Sequence, residues 1–244
     1  MNTLPFSLVL LSWHSPKTLR NTLQSYSENG LLSFTDDIII YFQEVNETDL
    51  AIAEEFGITK ILSSASNQGI SAGIQSLMQA AKYENILFLE EDWICVEDKE
   101  QTYKSINGGI QLLDENLIDF YRYRSINNPG NPWYCAQFIE DPTRSPEHLI
   151  EQVYAQGARL ADSFPGIMHY IAAYGTETIY GDSCWANYSN NPFMCKKQFW
   201  LGNIAPADLG GVSLEGEIRK TWRQSGYRVG HNIPGLFCHR RYDR

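Results

Sequence analysis

Across its first 92 residues the chain repeats one pattern, a short apolar run followed by a stretch with helical spacing. That alternation belongs to βα units, and it commits the chain to a mostly parallel sheet flanked by helices. Residues 6–12 (FSLVLLS) read as a buried strand, followed by Ser15 as an N-cap and Pro16 at the first helical position. Leu19, Leu23 and Tyr26 then lie on one helical stripe. Further strands are expected over residues 37–42, 58–62 and 85–89, with an amphipathic helix over 68–82 carrying Ile70, Ile74, Leu77, Met78 and Ala81.

The second half is less regular. A helix is expected over 99–114, a strand over 117–124, a turn-rich loop over 127–132 and a helix from a Ser145-Pro146 cap to Leu160. Residues 175–192, rich in Gly, Asn, Ser and Tyr, read as a long functional loop. A last helix spans 215–225 and stops at Gly226 as a C′ glycine. A length of 244 residues suits one continuous α/β domain, with a nucleotide-binding half over 1–98 and an acceptor-binding half over 99–244.

Charge narrows the partners. The net charge of −10 excludes a phosphate-backbone binder, since nucleic-acid affinity rests on clustered Lys and Arg. The charge is uneven: residues 219–244 hold seven Lys/Arg against one acid, so the rest carries −16. A basic tail on an acidic body suits a local anion such as a diphosphate, with a solvated helix face as the plain alternative. Five Cys at 95, 135, 184, 195 and 238 include no CxxC and no zinc-like His/Cys spacing. Reduced thiols and the lack of a signal or of a run near 18 apolar residues lead to the expectation of a cytoplasmic protein without a membrane span. A lipid-linked acceptor would still bring it to a membrane surface.

The chemistry concentrates where the strand Ile86-Leu87-Phe88-Leu89 runs into Glu90-Glu91-Asp92. Ligands of open α/β sheets bind at the carboxyl ends of strands. Three acids emerging there repel one another and call for a cation, which a hard divalent ion bridging carboxylate and phosphate oxygens supplies. A solvated turn after an edge strand is the alternative.

These segments resemble GT-A glycosyltransferases, most closely the inverting family 2 enzymes and relatives such as N-acetylglucosaminyltransferase I. The resemblance covers roughly residues 6–95 and 212–239. Residues 7–23 (SLVLLSWHSPKTLRNTL) are similar to the family's opening strand and helix, Asn67-Gln68-Gly69 to its NxG segment, and Leu89–Asp92 to its DxD position in a Glu-Asp-Asp-like form. The resemblance implies a Rossmann-like GT-A fold and a Mn²⁺ or Mg²⁺ cofactor. It also implies a UDP- or GDP-type sugar donor and a carbohydrate, glycolipid or glycoprotein acceptor. By the same match Asp92 would bind the metal, Glu90 and Glu91 would lie against the donor's ribose and sugar, and Ser12, His14, Glu44, Asn67 and Gly69 would fall on the donor side. His14 alternatively just precedes the helix cap. Gly73 stands where many members place an Arg.

Residues 214–229 (LEGEIRKTWRQSGYRV) resemble the family segment that carries the catalytic base, and counting back from Gly226 implies Glu215 for it, with Glu217 as competitor. A carboxylate that deprotonates the acceptor hydroxyl is what an inverting transfer needs. Cys238-His239-Arg240-Arg241 is similar to a C-terminal loop closing over the donor, with His239 a second metal ligand and Arg240 or Arg241 stabilising the leaving diphosphate. Trp133, Trp185, Tyr188, Phe193 and Trp200 are candidates for stacking on acceptor sugars or for core packing. Other readings are a retaining GT-A enzyme and a catalytically inactive glycan-binding module. A nucleotidyltransferase is disfavoured, because residues 12–16 lack its Gly-rich basic loop.

Overall fold

The computed structural model describes residues 2–131, 146–207 and 214–243, apart from the side chains of Ala207 and Lys220. The chain opens with β1 (Phe6–Trp13), α1 (Pro16–Glu28), β2 (Asp37–Gln43), α2 (Glu47–Glu55), β3 (Lys60–Ser64), α3 (Gly69–Ala80) and β4 (Asn85–Glu90). β1 pairs in parallel with β2 on one side and β4 on the other. The first seven residues of β1 are all buried. A strand covered on both faces has no polar side to show, which explains an apolar run without alternation. Leu8 and Leu10 pack beneath α1 and α2, while Val9 and Leu11 pack on α3.

The second half adds β5 (Trp93–Cys95), α4 (Lys99–Asp114), β6 (Phe120–Arg122), β7 (Met168–Ala173), β8 (Thr176–Asp182), β9 (Phe193–Lys196), α5 (Leu214–Gln224), β10 (Arg228–Ile233) and β11 (Phe237–His239). Among the described residues the main sheet has nine strands, in the order β3-β2-β1-β4-β9-β6-β10-β8-β7. β9 runs against both neighbours, β4 and β6, and β8 runs against β10 and β7. The other seven strands point the same way, so both halves of the sheet present their carboxyl ends along one edge. No helix among the described residues is long and apolar enough to cross a membrane.

Several boundaries move, for identifiable reasons. The strand expected over 58–62 is β3, two residues later. Ile58 belongs to the end of α2 instead: its N–H bonds the Ala53 carbonyl while that of Gly57 (φ +70°) bonds Glu54, a Schellman closure. The strand expected over 117–124 shortens to β6 for the same reason, with Leu117 N–H on Leu112 and Asn116 (φ +53°) on Leu113. The helix expected up to Leu160 is a 3₁₀ run, Pro146–Gln152, kinked at His148, and then short helical turns. Its buried polar side chains hold it to the sheet and to α5, Glu151 on Arg122 of β6 at 2.8 Å and Glu147 on Arg219 of α5 at 2.6 Å. Residues 175–192 are only partly loop, because Tyr174 and Gly175, both at positive φ, form the two-residue turn of the β7–β8 hairpin. Ser15 occupies the N-cap position of α1, but its side chain makes no cap bond.

Candidate active site

β4 delivers its acids to the carboxyl edge, and the far end of the chain meets them there. β11 pairs antiparallel with β5, setting His239 opposite Trp93, and the Arg240 N–H bonds the Asp92 carbonyl at 2.7 Å. Asp92, 1% exposed, receives two contacts on Oδ2, from His239 Nε2 at 3.0 Å and Arg241 Nε at 2.5 Å. Its Oδ1 is buried without a hydrogen-bond partner. Burial works to raise the Asp92 pKa, but the hydrogen bonds and charges of His239 and Arg241 hold it below the ordinary carboxylate range.

The neighbouring acids are pushed the other way. Burial, and then the charges of Asp92, Glu91 and Glu215, drive Glu90 well above its ordinary value against the opposing pull of Arg241. Burial and Asp92 push Glu91 up to about 7. Carboxylates so disfavoured as anions mark a place where positive charge is wanted.

The residues present fit a divalent cation. The His239 Nδ1–H donates to the Asn131 carbonyl, and Nε2 faces Asp92 Oδ2 at 3.0 Å, the nitrogen that would ligate an ion in place of its hydrogen bond to the carboxylate. An imidazole whose other N–H is held by a carbonyl is the usual form of a metal-ligating histidine. Two adjacent octahedral ligands at about 2.1 Å from an ion stand about 3.0 Å apart, which is the Asp92–His239 spacing. The orphaned Asp92 Oδ1 offers a further oxygen. Among the described residues no group of three or more His, Cys, Asp or Glu could hold an ion by itself. A hard cation here would complete its shell with substrate oxygens and water.

Above these groups opens a cleft of about 290 Å³. Glu90, His239 and Arg241 line it together with Glu215 and residues 189–191. Glu215 lies in the first turn of α5, and its Oε1 accepts the Asn190 N–H at 2.8 Å. Glu217 does not line the cleft. Trp93 and Arg124 form the floor, the guanidinium 5.1 Å from the indole centroid and its Nε bonded to the Pro129 carbonyl at 2.9 Å. These two escaped the sequence reading, whereas residues 189–191 belong to the stretch 175–192 read as a functional loop. Arg124 does end the strand expected over 117–124, a signal that could have flagged it.

A second group lies at the same sheet edge, beyond the ends of β1 and β2. Glu44 Oε2 accepts Trp13 Nε1 and contacts His14 Nε2, both at 2.7 Å. The hydrogen bonds of Trp13 and His14 hold the Glu44 carboxyl below its ordinary pKa. His14 (φ +49°) and Glu44 (φ +55°) both adopt left-handed backbone, a conformation with a strain cost for non-glycine residues. Asn67 Oδ1 accepts the Gly69 N–H at 2.8 Å, and Gly69 has φ +83° with open space where a Cβ would stand.

Other expected residues lie elsewhere. Ser12 is buried within β1. The exposed Arg240 turns its side chain to Tyr242 and contributes only its backbone to the site. Tyr188, Phe193 and Trp200 are fully buried: Phe193 stacks on Phe120 at 4.5 Å and Tyr188 packs edge-on to Trp222, so they are core and not an acceptor platform. Trp185 is half-buried beside that core, and Trp133 lies outside the described residues. At Gly73 a Cβ would stand 2.6 Å from Leu11 Cδ1, so a side chain there would require the Leu11 side chain to shift.

No family model matches the chain, and no curated protein matches it in sequence. Among solved structures it is similar to residues 1–349 of S. aureus TarS, at a TM-score of 0.58 and 13% identity over 97% of this chain and 60% of that one. The same TarS fragment in complex with UDP gives a TM-score of 0.56 at 11% identity. It is also similar to glucosyl-3-phosphoglycerate synthase from Mycobacterium tuberculosis in complex with Mn²⁺, UDP and phosphoglyceric acid, at 0.55 and 14% over 97% and 71% of the two chains. The chain thus spans 60% of the length of the TarS fragment. The fold is that of GT-A glycosyltransferases, a large central sheet with most strands codirectional and helices on both faces.

Proposed function

We propose that the chain is a Mn²⁺- or Mg²⁺-dependent glycosyltransferase of the inverting kind that its family 2-like motifs imply. It would take a sugar from a nucleoside-diphosphate donor to a hydroxyl of a glycan, lipid-linked or protein-linked acceptor. One observation carries the reading. Asp92 is met by His239 and Arg241, and these two line one cleft together with Glu215. The UDP complexes of TarS and of the synthase support the donor class.

In this reading residues 1–98 hold the donor and residues 99–244 shape the acceptor side. Asp92 and His239 would hold the cation, which when bound neutralises diphosphate oxygens and eases departure of the nucleoside diphosphate. Arg241 stands ready to take up the negative charge on that leaving group. Glu90 and Glu91 face the donor's ribose and sugar, while His14, Glu44 and the Asn67–Gly69 turn line its nucleoside side. Glu215, oriented by the Asn190 N–H, takes the proton of the acceptor hydroxyl.

Calorimetry of UDP with and without Mn²⁺ tests this on the native chain and on Asp92→Ala. The native chain should bind UDP more tightly with metal, and the variant should lose that gain while keeping its fold. Metal-dependent affinity that survives in Asp92→Ala overturns the assignment. A chain that binds no nucleoside diphosphate, UDP or GDP, under either condition overturns the donor class, and detectable metal-dependent donor hydrolysis excludes a glycan-binding module.

A further inference from the structure

The N-terminus of α1 is capped from the other end of the chain. Its first turn holds no acidic residue, and the Ser15 hydroxyl donates back to the Trp13 carbonyl at 3.1 Å and so makes no cap bond. An uncapped helix start leaves backbone N–H groups unpaired at the positive end of the dipole. Asp243 supplies what is missing: its Oδ2 accepts the Lys17 N–H at 2.8 Å and its Oδ1 accepts the Thr18 hydroxyl at 3.3 Å. The Thr18 Oγ1 in turn accepts the Tyr242 N–H at 2.9 Å.

Two residues before Asp243, Arg241 bonds Asp92, and one residue before that the Arg240 N–H bonds the Asp92 carbonyl. Residues 240–243 are all exposed, with no apolar burial to order them. They form a strap from the end of β4 to the start of α1, pinned by a carboxylate at each end. Without the outer pin, the conformational freedom recovered by an exposed segment favours its release.

We propose that Asp243 is a positioning residue. By capping α1 across the fold it holds the strap closed, so that Arg241 faces Asp92 before any ligand arrives. This rests on the reading of the cleft as a nucleoside-diphosphate site, and the first assay below is independent of that reading.

The test compares the native chain with Asp243→Ala, Asp243→Asn and the double variant Asp243→Ala/Lys17→Glu. Lys17 is exposed, and a first-turn acid there complements the helix dipole locally without touching the strap. Limited trypsin digestion reads strap release as cleavage after Arg240 and Arg241, and calorimetry reads UDP affinity with Mn²⁺ against uridine affinity. Asp243→Ala should speed cleavage about tenfold and weaken UDP by about tenfold, the scale of one charge-assisted hydrogen bond, with uridine unchanged. Asp243→Asn keeps an acceptor oxygen and should stay near native in both. The double variant should regain melting temperature and still be cleaved fast.

Native cleavage in Asp243→Ala overturns the proposal. So does a double variant restored in every readout, which would reduce Asp243 to a helix cap. If the native chain binds no UDP while strap cleavage responds as stated, the strap stands and the functional reading falls.

Discussion

Replacing Glu215 by Gln separates catalysis from folding, because the structure shows what the change keeps. Oε1 accepts the Asn190 N–H at 2.8 Å, and a glutamine retains that oxygen. The bond weakens from charge-assisted to neutral, about 1 kcal/mol of stability at most. Part of that returns, since the Glu215 charge is among those that push Glu90 up, and its loss relieves the cluster. Removing a general base costs about 10²–10⁴-fold in turnover, or about 2.7–5.5 kcal/mol of barrier. The expected variant therefore folds normally and binds donor within about threefold, yet turns over at least about a hundredfold more slowly. Mn²⁺-dependent hydrolysis of UDP-glucose, with water as the acceptor, measures the rate, and calorimetry measures the donor Kd. Glu217→Gln is the control, because two residues along a helix is about a 200° rotation and points that carboxylate away from the cleft. NMR of the first-formed sugar should show an inverted anomeric centre. A retained centre, or a Glu215→Gln chain of native activity, refutes the assignment of the base.

Two further expectations concern stability. His231 is buried, its Nδ1–H donating to the Asn232 carbonyl and its Nε2 facing the Tyr154 hydroxyl at 3.3 Å, and burial lowers its pKa to about 4. The unfolded histidine titrates near 6.5, so its contribution is intact above that pH and is lost as pH falls toward 4. Roughly 3 kcal/mol is at stake. Urea unfolding between pH 7 and pH 4 should show that loss in the native chain and much less in His231→Gln; equal slopes would contradict it. Glu151→Ala leaves the 3%-exposed Arg122 charge without its partner, and since Arg122 Nε and Nη2 already have none, about 3–5 kcal/mol should disappear. A loss below about 1 kcal/mol in the same assay would show that the pair is not buried as described.

The βα half of the molecule was legible because its signals are local. Burial on both faces makes β1 read FSLVLLS, helical spacing marks α1 and α3, and three acids at the end of β4 mark the carboxyl edge. Glu215 was implied by the resemblance of residues 214–229 to the family segment, counted back from Gly226, and the cleft includes it. Mistakes fell where one local pattern serves two structures. Ile58 and Leu117 are apolar residues beside a strand, but each completes a helix cap instead. Phe193, Tyr188 and Trp200 look alike as ligand platforms or as core, and only the tertiary fold decides, packing Phe193 and Tyr188 against Phe120 and burying Trp200 in the same cluster.

What the sequence alone determined is therefore the βα half, the acidic strand end and the list of polar residues that chemistry would use. The tertiary structure decided their grouping. β9 enters antiparallel between β4 and β6 and joins the two halves into one sheet, while β11 returns to β5 and brings His239 and Arg241 to Asp92 across 147 and 149 residues. Asp243 reaches the start of α1 across 226. Periodicity and caps are set by neighbours a few residues away, whereas these pairings follow from which buried surfaces and unpaired backbone groups remain once the whole chain has packed.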